Sequence, residues 1–461
     1  MNSQNKKMEL LGSTSIPKAL LVMGVPTMIG MLVNAFYNLV DAYFVGGLGE
    51  SQMGAIAVVY PLGQVVVGLG LLFGNGAASC ISRLLGCGDK ENADRVASTA
   101  LYSSVSVGAV IILISMVFLL PVLKLLGATD SILPYAAAYA RIYIVSCIFN
   151  VFNVTMNNIV TSEGAARTTM CALLMGAILN IALDPLFIYI LDLGVTGAAI
   201  ATAISQVIST CVYLIYILQK KSVFHFRIRD CMFTKEIMFG IFKIGVPTLI
   251  FQILTSVSIS LINNAAGDYG DSAIAGMGVV TRLISMGSLS VFGFIKGFQP
   301  IAGYSYGAKK YDRLREAIKT SILWSTIFCV IFGLILALFP VAVVSQFTKD
   351  DTEMIRIGAV ALRANGITIM LFGFYTVYSS LFLALGKGRE GFILGACRQG
   401  ICFIPVILLL PEIWGLNGVL YTQPVADVLS AIITVFMAIP LHKKLNEMQK
   451  QTMNRDPLLP D

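Results

Sequence analysis

Charged residues are scarce in this sequence, at 12% of 461 positions, against about 25% in a soluble domain. Histidine occurs only twice, at His225 and His442. No metal-ligand spacing, nucleophile elbow or phosphate-cradling loop stands out, which argues against an enzyme. The nine cysteines never form a Cys-x-x-Cys pair. Cys80, Cys147, Cys171, Cys329 and Cys402 are scattered through apolar stretches, so they read as small apolar residues and no disulfides are expected. The polar start (Asn2, Gln4, Lys6, Lys7, Glu9) contains no short apolar core with a small-residue cleavage site, and a cleavable signal peptide is not expected.

Apolar residues, by contrast, make up 57% of the chain, and the mean hydropathy is +0.82. They come in long blocks, such as the uncharged run from Leu101 to Leu123. A membrane span needs about 20 mostly apolar residues. Lipid cannot satisfy backbone groups, so spans are helices or a closed barrel. Barrel strands alternate apolar and polar, and these blocks do not. The predicted spans are 17–43, 54–82, 96–121, 135–161, 168–190, 196–218, 236–262, 272–302, 317–343, 355–384, 390–411 and 416–441. Pro26, Pro61, Pro185, Pro247, Pro300, Pro405 and Pro424 fall in or near them and should bend helices.

The formal charge of +7 is unevenly placed. Odd-numbered connections hold Glu50, Lys124, Asp130, Asp192, Asp268, Asp271, Lys349, Asp350, Asp351 and Glu412. Even-numbered ones hold mainly cations, among them Arg83, Lys90, Arg167, Lys220, Arg227, Lys309, Arg313 and Arg389. The positive-inside rule assigns the basic side, with both termini, to the cytoplasm. The charge therefore reads as membrane orientation, with no nucleic-acid partner implied.

The chain repeats itself. Gly24-Val25-Pro26-Thr27 recurs as Gly245-Val246-Pro247-Thr248, and 245 − 24 = 221. The same offset links Val58-Val59 to Val279-Val280, Gly86 to Gly307, Gly194 to Gly415, and Val207 to Val428; Gly164 and Arg167 recur as Gly386 and Arg389, one residue later. Each half has six spans, so both enter from the same side and the repeat is parallel. The fold class is an all-α polytopic membrane protein of twelve transmembrane helices in two six-helix lobes. The expected division is an N-terminal lobe 1–218, a basic cytoplasmic linker 219–235, a C-terminal lobe 236–442 and a cytoplasmic tail 443–461.

An Asp at a span centre costs about 2.5–3.5 kcal/mol on insertion scales, so such residues tend to be functional. Span 1 carries Asn34, Asn38 and Asp41 on one helix face. Span 4 carries Asn150, Asn153 and Asn157, span 5 Asn180 and Asp184, span 6 Thr202 and Gln206, and span 2 Gln64. Two carboxylates close together in a poorly solvated site resist being charged at once. Asp41 and Asp184, both toward the outer half, are thus candidates to carry a proton or hold a sodium ion. Asp41 lies near a span end and also fits exposure to interfacial water, Asp184 before Pro185 fits a helix cap, and an Asn stripe fits interhelical bonding. Lys296, Arg363 and Arg398 in the second half fit snorkelling or lining of the cleft between the lobes. For a flat cation, Tyr37 and Met175, with other aromatics and methionines of the spans, offer stacking and cation–π attraction, and Asn34, Asn38, Gln64, Asn153, Asn157 and Gln206 offer polar contacts.

Four segments carry a family resemblance: Asn34 to Gly47 (NAFYNLVDAYFVGG), Asn180 to Ile188 (NIALDPLFI), Gly194 to Thr202 (GVTGAAIAT) and Gly297 to Lys309 (GFQPIAGYSYGAK). In this order the chain resembles the MATE (multidrug and toxic compound extrusion) transporters over nearly all its length, and in particular their prokaryotic DinF-like/MepA-like branch. The resemblance implies two lobes forming a V and export of organic cations or amphipathic drugs by proton- or sodium-coupled antiport with alternating access. Its coupling-site motif falls on Asp41, Asn180, Asp184 and Thr202. Sodium-coupled relatives of another branch carry acids on spans 7 and 10, which are missing here. The expectation is a multi-pass protein of the bacterial inner (plasma) membrane that contacts lipids and drugs. It needs no cofactor beyond the coupling ion and no obligatory protein partner. A lipid or lipid-linked oligosaccharide flippase of the same wider superfamily is the rival reading, for which a more cationic central cavity is expected. A major-facilitator transporter should carry a Gly-x-x-x-Asp-Arg-type loop, which Arg83-Leu84-Leu85-Gly86-Cys87-Gly88-Asp89-Lys90 does not match.

Overall fold

The computed structural model describes residues 3–347 and 351–455; Lys349, Asp350 and the end of the expected tail, 456–461, lie outside the described residues. Among the described residues there are helices and no strands. Twelve helices are long and apolar enough to cross a membrane: α1 (Ile16–Gly46), α2 (Gly54–Gly86), α3 (Lys90–Val117), α4 (Leu133–Ser162), α5 (Ala166–Ile190), α6 (Gly194–Leu218), α7 (Lys235–Gly267), α8 (Asp271–Gly307), α9 (Tyr311–Leu338), α10 (Thr352–Ala384), α11 (Gly388–Trp414) and α12 (Leu416–Gln451).

The third and ninth spans differ from their predicted ranges of 96–121 and 317–343. Both start a turn or two earlier, with charged residues that an apolar-run criterion leaves out. Asp89 caps α3 by accepting the Asn92 N–H at 3.1 Å. Both also stop early, at an aromatic residue off helical geometry: Phe118 (φ −102°, ψ 28°) and Phe339 (φ −120°, ψ 39°). A short separate helix follows each, Leu119–Leu125 and Pro340–Val344. The two breaks are 339 − 118 = 221 residues apart, so the repeat extends to the backbone. Gly49 (φ 102°) and Gly270 (φ 97°), again 221 apart, show the same in left-handed turns.

Prolines sit inside α1, α2, α7 and α8. Beside two of them, Thr27 and Thr248 satisfy their own hydroxyls by bonding back to the carbonyls of Met23 (2.8 Å) and Ile244 (3.0 Å) one turn earlier. α5 does not end at Pro185. It widens into a π-helical segment, Leu186–Ile190, that carries the chain past the missing N–H.

The halves cross-pack, α1 along α8 and α7 along α2. Glycines make this possible. A methyl on Gly297 of α8 would meet the Gly24 nitrogen of α1 at 2.5 Å, and a methyl on Gly76 of α2 would overlap the Ile241 carbonyl of α7. These are repeat-related, 297 − 76 = 221. At the ends of α2 and α8 the contact is reciprocal: Gly86 lies on the Tyr304 carbonyl and Gly307 on the Arg83 carbonyl. Such backbone approach is the usual role of small residues between membrane helices.

One helix, Ser3–Gly12, precedes the first span and was not anticipated. It lies on the face that carries the basic even-numbered connections, called the basic face below. Its Lys7 ammonium reaches buried Glu163 at the end of α4 (3.2 Å) and the Lys221 carbonyl (2.6 Å). Burial pulls the Lys7 ammonium below its usual pKa, and the Glu163 carboxylate opposes that shift. Glu163 also accepts from Tyr216, Ser222 (3.0 Å) and the Val223 N–H (2.6 Å). From the other half, Lys310 donates to the Gly12 carbonyl (2.8 Å) and Arg313 to those of Leu11 (3.2 Å) and Leu10 (3.3 Å), which satisfies the helix's last carbonyls. The N-terminal helix therefore ties both halves together.

Gly307→Ala should drive a methyl into the Arg83 backbone and lower stability by about 1–3 kcal/mol. Thermal unfolding of the purified protein in detergent measures it, and Gly278→Ala, where the added carbon meets nothing within 4 Å, should leave the midpoint unchanged.

Candidate functional site

α1 and α5 run side by side, with Gly30 of α1 against Met170 and Leu173 of α5. This brings Asp41 and Asp184 together. Both lie within two turns of the helix ends opposite the basic face, about 8–9 Å from those ends at 1.5 Å per residue. Asp184 is fully buried and Asp41 half-buried. Their carboxyls are close neighbours, and Asn180, one turn before Asp184, donates its amide N–H to Asp184 Oδ1 at 3.3 Å. Three buried oxygens of this group have no partner: Asp41 Oδ1, Asp184 Oδ2 and Asn180 Oδ1. Buried acceptors are normally satisfied. A cluster of unmatched acceptors around two carboxyls has the chemistry to take up a proton or a small cation.

Asp184 caps no helix end, since its hydrogen bonds go to side chains and α5 continues past it. Tyr37, one turn before Asp41, lies within electrostatic reach of both carboxyls. Tyr139 and Tyr143 of α4 stack at 5.3 Å within electrostatic reach of Asp41. Tyr139 was missed from sequence, although its spacing of four from Tyr143 places both on one helix face. Thr202 of α6 is half-buried and makes no hydrogen bond to this group. A hollow of about 640 Å³ opens at the same helix ends, lined by Tyr43, Phe44, Gly46, Gly47 and Tyr189. Tyr189 donates to the Phe44 carbonyl at 2.5 Å, joining the π segment to α1 beside that hollow.

The other nominated residues fall in separate places. Asn38 donates to the carbonyl (2.7 Å) and side chain (2.9 Å) of Asn34, on the exposed part of α1. Asn153 donates to the Gln206 carbonyl (2.9 Å) and Oε1 (2.8 Å) and accepts from Thr210 (2.9 Å). Asn157 donates to Tyr213 at 3.2 Å. These α4–α6 amides are mostly engaged in joining helices. Gln64 accepts from Gln252 of the second half at 2.9 Å, and Met175 is 51% exposed on α5.

A sequence profile of the family described as MatE matches residues 26–186 and 247–409. The chain belongs to the MatE family. The two matched stretches begin at Pro26 and Pro247, at the repeat offset of 221 residues. The multidrug export protein MepA of Staphylococcus saprophyticus subsp. saprophyticus is 30% identical to this MatE chain over 94% of the chain and 95% of the relative. MepA of Staphylococcus aureus is 30% identical over 93% and 94%. Among solved structures, MATE in complex with MaL6 superimposes with TM-score 0.90 at 27% identity, covering 96% of this chain and 99% of that one. A MOP superfamily transporter from Pyrococcus furiosus, described by the reverse polarity of its binding pocket, superimposes with TM-score 0.88 at 27% identity over the same shares. This MatE chain is a multi-pass membrane protein with the two-lobe architecture of that family.

Its second half holds a different buried polar group. Arg398, in the π-helical segment Cys397–Ile401 of α11, donates to Asp427 of α12 at 2.8 Å. Gln423 (2.8 Å) and Thr368 (3.4 Å) complete the Asp427 shell, and the guanidinium lies 4.6 Å from the Phe372 ring centre. Arg398 thus neither snorkels nor lines a cleft; it is 6% exposed and paired. Arg363, by contrast, is exposed on α10.

Removing one partner of a buried pair strands the other charge, at a cost of about 3–5 kcal/mol. Asp427→Asn should therefore lower the unfolding temperature markedly, whereas Asp184→Asn, which removes one of two neighbouring acids, should not. Thermal scans of both variants in the same detergent compare them.

Proposed function

We propose that this protein exports organic cations and amphipathic drugs by ion-coupled antiport, with Asp41 and Asp184 as the coupling pair. The supporting observation is the proximity of these carboxyls together with the three unpartnered buried oxygens of Asp41, Asp184 and Asn180. When cargo leaves, one proton shared by the pair, or a sodium ion held by its oxygens, replaces it. Asn180 orients Asp184 through its 3.3 Å hydrogen bond. Thr202 would join the site only in another arrangement of the helices. The basic face is cytoplasmic, in a bacterial plasma membrane, by the positive-inside rule. The division into a coupling lobe (1–218) and a second lobe (236–442), joined by the linker 219–235 and followed by the tail 443–461, is part of this reading.

The direction of opening follows from where the halves touch. Every hydrogen bond between the two halves lies from Gln64–Gln252 toward the basic face, among the described residues: besides the Lys310 and Arg313 bonds to the N-terminal segment, these are Gln252 to Gln64 (2.9 Å), Asn75 to Thr248 (2.8 Å), Ser79 to the Leu383 carbonyl (2.5 Å), Cys87 to the Gly307 carbonyl (3.2 Å) and Lys296 to Asn157. The reading is an outward-facing state, sealed on the cytoplasmic side, with the acid pair near the open end. Alternating access then requires these bonds and the glycine contacts to part.

In vesicles reconstituted with the protein, ethidium efflux should need an imposed proton or sodium gradient, and Asp41→Asn or Asp184→Asn should abolish it. Gradient-driven efflux retained in both single variants would overturn the assignment. Movement of lipid-linked substrates but of no small cation would favour a flippase instead.

A further inference from the structure

Lys296 is the charged group that the coupling scheme leaves unused. It sits on α8, half-buried, at the seam between the halves, and donates to Asn157 Oδ1 of α4. Asn75 is its repeat counterpart, 296 − 75 = 221, and also bonds across the seam, to Thr248 of α7 at 2.8 Å. The two positions are therefore related by the pseudo-twofold axis, and in the outward-facing reading proposed above they lie at the floor of the cleft. One half supplies a neutral amide there and the other an ammonium.

That ammonium has no acidic partner. Two other buried cations do: Lys7 has Glu163 at 3.2 Å and Arg398 has Asp427 at 2.8 Å. Among the described residues, no carboxylate lies within ion-pair distance of Lys296. Its one hydrogen-bond partner is a neutral amide, so two of its three N–H groups have no acceptor among the described residues. The acid pair cannot compensate it. Met28 of α1 lies against Gly293 of α8, one turn outward of Lys296, and Asp41 is thirteen residues further along α1. The axial separation is about 24 Å at 1.5 Å per residue. Beside Lys296 the seam is polar, with Ser82, Asn158, Thr161 and Gln299, and Gln299 Nε2 is itself a buried donor without a partner. Donors therefore gather at the cleft floor as acceptors gather at Asp41 and Asp184.

We propose that Lys296 is a specificity-determining residue that binds an acidic group on the cargo, a carboxylate or sulfonate, so that amphipathic compounds bearing an acid are preferred over the same compounds without one. This rests on the efflux reading for its transport meaning, but the binding difference stands on its own. A charge-assisted hydrogen bond in a poorly solvated site discriminates strongly between a ligand that has its acceptor and one that lacks it.

The test is equilibrium binding by fluorescence anisotropy, with the full chain in detergent and two matched probes, a cationic rhodamine methyl ester and its free carboxylic acid. Lys296→Gln should weaken the acid about tenfold and leave the ester unchanged, and Lys296→Arg should restore most of the preference. Equal weakening of both probes, or no change in either, would overturn the proposal and make Lys296 a strut between the halves. Wild-type protein that binds both probes but moves neither under any gradient would instead overturn the efflux reading, with the acid–ester difference still deciding the role of Lys296.

Discussion

Inside a bilayer a polar group has only the protein to satisfy it. Most of this structure can be understood as obedience to that constraint. Thr27 and Thr248 bond back within one turn beside prolines. The α4–α6 amides bond one another. Lys7 and Arg398 each have a carboxylate. Isolated hydroxyls such as Ser98, Ser288 and Ser321 are exceptions scattered singly, whereas two places gather several. Asp41, Asp184 and Asn180 keep unpaired acceptors near one end of the first half, and Lys296 keeps unpaired donors at the seam.

Much of the fold was legible because the signals were local. A span is a run of apolar residues, and a repeat is a constant offset, so both survive without three-dimensional information. The acid pair was visible because a carboxylate in an apolar run is conspicuous. The ends of α3 and α9 were not, since a helix keeps its hydrogen bonds into water where composition no longer marks it. The Lys7–Glu163 lock was invisible for another reason. Its partners are 156 residues apart, and no periodicity relates them. The one available hint was a carboxylate, Glu163, in an otherwise basic connection. Arg398 was misread because a lone cation in an apolar span is expected to reach for water or a cleft; its partner, 29 residues on, lies in the next helix. The nominated drug contacts were scattered by the fold because residue type alone does not say which face of a helix meets a neighbour.

The two halves share a backbone and differ in chemistry. The repeat offset carries Asp41 to Ile262 and Asp184 to Pro405, so the acid pair has no counterpart. It carries Gln206 to Asp427, an amide to a carboxylate that pairs with Arg398, and Asn75 to Lys296. The backbone breaks at Phe118 and Phe339, the prolines Pro26 and Pro247, and the left-handed glycines Gly49 and Gly270 are kept at the same offset. Geometry has stayed symmetric while charge has moved off the axis, as expected where packing must close twice but an ion needs only one place to bind.

Gly86 and Gly307 press on each other's neighbouring carbonyls across the pseudo-twofold axis. Each glycine is thereby held small by a backbone atom that no exchange of side chain can move. A larger residue in one half cannot be accommodated by a compensating change in the other, because nothing there can be trimmed. After the ancestral duplication, these two positions lost the freedom to diverge that Asp184 and Pro405 retained, and they tie the evolutionary fates of two halves that elsewhere specialised independently.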